Sequence, residues 1–176
     1  MYERAMGQNF SRLATVVQRF HRLAGLHVLH GQVEADAPRS LSGKLLALFL
    51  GTPRQAFSGA IRFELDASPT AETWTRYFPG RTMTSRLHIC SGKVVEHLGA
   101  ARLTFDLVES AGRLEMRLMR LRFLGIPCPN WLMPQLVAQE TEHGDLLQFR
   151  VQAALPLVGV VASYRGHLTV PAQESP

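Results

Sequence analysis

In "WTRYFPGRTMTSRL", Trp74 to Leu87, a strand-like alternation places Arg76 on the same side as Trp74 and Phe78. A guanidinium sent among aromatic side chains must meet an anion, a carboxylate or water, because an unpaired buried charge is too costly to keep. Its planar fork suits a carboxylate or phosphate, held through two hydrogen bonds. Pro79-Gly80 reads as a hairpin turn, and pairing across it sets Phe78 opposite Arg81, Arg76 opposite Met83 and Trp74 opposite Ser85. Pairing onward across Ser91-Gly92 sets Leu87 opposite Glu96, so a carboxylate joins the guanidinium on one face. Two chemistries follow: a closed Arg76–Glu96 pair, or a polar anchor in a mostly apolar cavity of the kind that binds small molecules. In the closing stretch "GVVASYRGHL", Tyr164 shares a face with Val160, Ala162, Gly166 and Leu168 and can turn its hydroxyl inward. Trp131 lies in "GIPCPNWLMPQ", where three prolines forbid a regular interior strand. That apolar loop reads as a lid, a membrane-touching lip or a hydrophobic plug.

The other reactive side chains form no recognised set. His21, His27 and His30 match no zinc spacing, and no nearby cysteine or carboxylate completes one, so no metal or cofactor is expected. Surface or capping roles suit these histidines, although His27 shares the Leu29/Val33 face and can enter the interior. His88 and His97 fall on outward faces. Cys90 and Cys128 make no CxxC and read as free thiols. There is no GxSxG elbow, GxGxxG or P-loop. An enzyme built on this chain would draw on Arg76, Glu96, His27 and Tyr164, the carboxylate and histidine serving as acid and base.

The elements that must position these residues change character along the chain. Phe10, Leu13, Val17, Phe20 and Ala24 recur at helical steps, which predicts a helix over 9–24 ending at Gly25. "SLSGKLLALFLGTP" predicts a second helix over 40–51, with Leu41, Leu45, Leu48 and Phe49 buried. From Phe57 the period is two, and turn dipeptides (Pro79-Gly80, Ser91-Gly92, Ala111-Gly112, His143-Gly144) recur at hairpin spacing. Connections that short exclude crossover helices, so the sheet is antiparallel. The expectation is a mainly β (α+β) fold: an antiparallel meander of about 8–10 strands over 57–170, curled into a barrel or half-barrel, with two N-terminal helices covering one opening. In "RLEMRLMRLRF" the alternation changes face, which calls for a bulge near Met119.

The chain is one domain's length, 176 residues, and is read as a single domain 1–176 with a flexible tail at 171–176. Nineteen basic against fourteen acidic residues leave a net charge of +5. Only Lys44 and Lys93 are lysines, and acids are interspersed with the arginines, so nucleic acid is not the expected partner. No apolar run is long enough to span a bilayer as a helix and no signal-peptide core is seen, which points to a soluble, cytoplasmic protein.

The "WTRYF" and "SRL" segments around Trp74, Arg76, Phe78 and Ser85, the "RFLGIPCP" stretch, the closing "LPLVGVVASYRGHL" and the early "RFHRLAGLHVLHGQVE" together resemble an uncharacterised bacterial family, domain of unknown function 4166. The resemblance covers most of the chain and implies no activity. Members of that family occur alone or joined to NADP-binding, dehydrogenase-like modules, which implies a dehydrogenase-like protein partner. Three functions stay open. The first is a binding domain for a small lipophilic or amphipathic, even anionic, ligand held by Arg76, Trp74, Phe78, Ser85, Glu96, Tyr164 and Trp131. The second is an interaction domain that docks such a partner or forms a homodimer through the Trp131 loop. The third is a cavity enzyme, an isomerase or hydrolase without a familiar motif.

Overall fold

The computed structural model describes residues 1–172, so most of the tail expected at 171–176 lies outside the described residues. The helix expected over 9–24 is three pieces: α1 (Tyr2–Met6), a 3-10 segment (Gly7–Arg12) and α2 (Thr15–His21). Leu13 between them is extended, at φ −64° and ψ 152°. Two long-range contacts hold the break. Ala14 N–H donates to the Gly112 carbonyl at 2.7 Å, and Val16 N–H donates to Glu142 Oε2 at 2.8 Å. Ala14 has no side-chain acceptor to cap α2, and a carboxylate from a distant strand supplies it. The apolar stripe survives: Phe10, Leu13, Val17 and Phe20 are all buried, whereas Ala24, past the helix, is exposed.

Helix α3 (Leu41–Leu50) forms where expected, capped by Ser40 Oγ and ended by Gly51 at φ 75°. Its orientation is the reverse of the expected one. Leu41 is 85% exposed and Leu45 56%, and Leu48 and Phe49 are also exposed. The buried residues are Gly43 and Ala47, with Leu46 and Leu50 half-buried behind them. The reason is steric. A Cβ at Gly43 would sit 3.2 Å from the Val160 carbonyl, so the helix approaches its neighbours closely on its small-residue face. The helix is apolar on two faces, and sequence periodicity selects the larger one.

Eleven strands follow the order of the chain: β1 (Gly25–Ala35), β2 (Phe57–Ala67), β3 (Ala71–Phe78), β4 (Arg81–Cys90), β5 (Lys93–Leu98), β6 (Ala101–Ser110), β7 (Arg113–Phe123), β8 (Ile126–Pro127), β9 (Gln135–His143), β10 (Leu146–Leu155) and β11 (Gly159–Thr169). Each pairs antiparallel with its sequence neighbours except around β8, a two-residue strand that pairs only with β7. β1 pairs with β11 and β6 with β7, so the remaining ten strands close into a barrel. The register across β3, β4 and β5 is the one the turn dipeptides require, including Arg76↔Met83, Trp74↔Ser85 and Leu87↔Glu96. Between β6 and β7, Thr104 pairs with Arg120 and Phe105 with Leu118, leaving Met119 as the bulged residue.

Two features set up the interior. Gly31 and Gly166 allow β1 and β11 to cross tightly, since a Cβ on either would run into carbonyl oxygens of the facing strand. The closing seam between β7 and β9 is short, registered only at Leu114↔Glu140 and Glu115↔Gln139. Beyond it, toward the β7–β9 connection, the strands part and the proline-rich segment with its 3-10 turn (Asn130–Leu132) fills the space. The N-terminal helices pack against one end of the barrel. At the other end α3 lies over the turns, with Ser40 Oγ donating to the Val158 carbonyl and Ala100 N–H donating to Phe49.

Candidate functional site

Strand parity brings Trp74, Arg76, Phe78 and Ser85 inside as expected, and all four are buried. Glu96 and Tyr164 join them from β5 and β11. A small cavity of about 60 Å³ is lined by Trp74, Arg76, Glu96, Glu140 and Tyr164 together with core side chains such as Phe63 and Phe149. Arg76 Nη1 donates to Ser85 Oγ at 3.2 Å, and its guanidinium carbon lies 5.0 Å from the Trp74 ring centre and 5.6 Å from that of Phe63. No carboxylate among the described residues comes within 4.0 Å of it, so the closed pair with Glu96 does not form. Burial raises the Tyr164 hydroxyl above its usual range, with Arg76 pulling the other way and Glu96 and Glu140 adding to the rise. The hydroxyl is therefore a neutral donor.

Next to this cavity is a larger chamber of about 260 Å³. Its walls include Leu103, Phe105, Leu136, Ala153 and Ala162, and its mouth runs under Leu46 and Leu50 of α3 and Leu132 and Pro134 of the proline-rich segment. Among the described residues, the only ionisable groups in its lining are Glu96 and Cys128. Partial burial pushes the Cys128 thiol up, away from the thiolate form. Glu96 and Val151 belong to the walls of both spaces, so they stand between the apolar chamber and the cavity that holds Arg76. A bigger hollow, about 750 Å³, lies on the outside of the barrel among polar residues such as Gln32, Gln148 and His167. Of Arg76, Trp74, Phe78, Ser85, Glu96, Tyr164 and Trp131, none lines it.

Several residues stand elsewhere than expected. Phe78 packs edge-on against Tyr164, with ring centres 5.9 Å apart, and lines neither cavity. Trp131 is 71% exposed and points away from the chamber that its neighbour Leu132 borders. The loop thus turns Leu132 and Pro134 to the chamber and Trp131 to the surface. His27 stays outside and hydrogen-bonds the Ala24 carbonyl at 3.0 Å, so the acid–base set of Arg76, Glu96, His27 and Tyr164 does not assemble. His88 and His97 stack on the outer face, where partial burial, then His88, then Arg102 lower the His97 pKa.

His21 is the main correction among the histidines. It is buried, and its Nε2 donates to Glu140 Oε2 at 2.6 Å. The Tyr2 ring stacks on it at 3.7 Å, and Tyr2 Oη and His21 Nδ1 are buried without partners. Glu72 is also buried and accepts a 2.8 Å hydrogen bond from Trp74 Nε1. Burial raises its pKa, against the lowering effect of His21 and of that hydrogen bond. Both glutamates carried a legible signal. Glu72 continues the Trp74–Arg76–Phe78 parity by two residues, and Glu140 continues that of Leu136 and Ala138. Among the described residues no group of His, Cys, Asp and Glu is arranged to hold a metal ion.

Comparison with known proteins adds the family and the fold. No curated protein matches the chain. The crystal structure of Rv2717c from M. tuberculosis superposes with a TM-score of 0.50 at 13% identity, covering 91% of this chain and 99% of that one. At that identity the likeness is one of fold. The family model described as domain of unknown function (DUF4166) matches residues 13–168, and the chain belongs to that family.

Proposed function

We propose that this barrel binds a small amphipathic molecule, with its apolar part in the chamber and a singly charged acidic head at Arg76. The observation that carries the reading is the junction of the two spaces. An apolar chamber of about 260 Å³ abuts a small cavity bordered by the buried Arg76 guanidinium, which has no carboxylate within 4.0 Å among the described residues. Together they reach the low end of the ~300–1,000 Å³ typical of small-molecule sites. Glu96 and Glu140 border the same pocket, which favours one negative charge on the ligand over two. In this reading Trp74 and Ser85 hold the guanidinium, Tyr164 donates a hydrogen bond to the head, Phe78 backs Tyr164, and Trp131 stands on the rim.

The test is a comparison of two ligands of equal chain length. Delipidated protein titrated with decanoate and decanol should bind the acid at least tenfold more tightly. Arg76→Met should abolish that preference while leaving the thermal transition in place. Native mass spectrometry of protein purified without detergent should show a retained small acid. Equal binding of acid and alcohol, or no binding of either, would overturn the assignment.

A further inference from the structure

The far end of the barrel carries an apolar surface that nothing among the described residues covers. On α3, Leu41, Leu45, Leu48 and Phe49 face outward. The neighbouring connection exposes Leu124 (66%), Ile126 (70%) and Trp131 (71%), and the β10–β11 turn exposes Leu157 (98%). Hydrogen bonds join these into one rim. Ser40 Oγ ties the start of α3 to Val158, beside Leu157, and Ala100 N–H ties its end at Phe49. Leu124 N–H then donates to the Ala100 carbonyl at 2.9 Å, and the Phe49 and Phe123 rings meet edge to face with centres 6.1 Å apart. The rim surrounds the mouth of the apolar chamber.

Charge identifies what covers it. The segments 37–57, 97–103, 119–135 and 152–162 of this end contain no aspartate or glutamate and hold Arg39, Lys44, Arg54, Arg102, Arg120 and Arg122; the acids beside them, Asp36 and Glu34 at the end of β1, are engaged by Ser163 and Arg165. All six are exposed, and none lies within salt-bridge distance of a carboxylate among the described residues. Arg102 and Arg122 are direct cross-strand partners, an arrangement of like charges that destabilises a sheet unless an anion neutralises it. The row extends through His97↔Arg102 and Arg86↔His97. Apolar side chains at the tip, an indole among them, with a cationic belt behind match the order of layers in a bilayer surface: hydrocarbon, interface, anionic headgroups.

We propose that the α3 and Trp131 rim docks this end of the barrel onto a membrane rich in anionic lipid. This surface is separate from the Arg76 pocket and does not depend on what that pocket holds. Flotation with vesicles of phosphatidylcholine alone and with about a third phosphatidylglycerol tests it. The full chain should float with the anionic vesicles only, and salt should release it. Trp131 fluorescence should shift to the blue on binding, and the Trp131→Phe variant should lose that shift, since Trp74 is already buried. Arg120→Gln with Arg122→Gln should weaken vesicle binding on the order of tenfold or more. Leu45→Ser with Leu48→Ser should weaken it similarly at an unchanged Tm, because both side chains are exposed in the free protein. Failure to bind either vesicle, or equal binding to both, overturns the proposal. So does a stable dimer that Leu45→Ser with Leu48→Ser converts to monomer, since the rim would then be the contact between two copies.

Discussion

Enlarging Ala153 is the sharpest test of the chamber, because an empty chamber and a filled core give opposite signs. Ala153 is registered between Leu136 of β9 and Ala162 of β11, and all three line the space of about 260 Å³. Leucine at this position adds three carbons. At about 0.8 kcal/mol per buried CH₂ the gain approaches 2.4 kcal/mol, and ordering the side chain takes back about 0.5–1. The net stabilisation is about 1–2 kcal/mol. For a chain of this size that raises Tm by roughly 2–8 °C. If the space were already packed, the same substitution would cost about 1–3 kcal/mol and lower Tm. The assay is thermal and urea unfolding of delipidated protein, wild type beside Ala153→Leu, with unchanged m-values to confirm that both unfold over the same surface. The added carbons also occupy volume the ligand tail would use, so decanoate affinity should fall as stability rises. A lower Tm in delipidated protein would refute the chamber and, with it, the function built on it.

Three further outcomes follow from the interior. Glu140→Ala leaves the buried His21 without its partner and should destabilise by about 3–5 kcal/mol in urea unfolding, whereas Glu140→Gln, which retains an acceptor, should cost clearly less. Glu72 has its carboxyl pKa raised, chiefly by burial, so its favourable contribution is complete below the unfolded-state value and is lost as pH rises through the folded one. Glu72→Gln, which can still accept from Trp74, should therefore gain on wild type as pH increases across that window; a Tm difference that stays flat from pH 4 to 8 would contradict this. Gly166→Ala places a Cβ against the Gln32 carbonyl and 2.9 Å from Val33 Cα, and should lower stability by at least about 1–3 kcal/mol, read as a fall in Tm.

Much of the barrel was legible because a hairpin is a local object. Pro79-Gly80 and Ser91-Gly92 fix register within a few residues, and register fixes which side chains face inward, so Arg76 and Glu96 could be placed before any tertiary structure was known. The bulge at Met119 was legible for the same reason: a change of face in an otherwise regular alternation leaves few alternatives. What failed depended on distant partners. The break at Leu13 and Ala14 is held by Gly112 and Glu142, more than ninety residues away in the chain, and no local pattern encodes them. The outward leucine face of α3 reflects what lies against Gly43, which periodicity does not register. His21 was misplaced because its partner, Glu140, arrives from β9 across the barrel end.

The buried charges divide by whether the chain itself satisfies them. Glu140 meets His21 and Glu72 meets Trp74, and both contacts lie where the N-terminal helices close the barrel. Each can be explained as part of that closure. Arg76 cannot. Its hydrogen bond to a neutral hydroxyl contributes about 1.5–3 kcal/mol, and two aromatic faces at 5.0 and 5.6 Å add about 0.5–2 each. Desolvating a cation costs several kcal/mol even after relaxation, and a fork of five N–H donors is not exhausted by one acceptor. The remaining donors have to be met from the pocket they border, by solvent or by the head of a ligand. That requirement falls on a buried charge whose cavity shares Glu96 and Val151 with the apolar chamber.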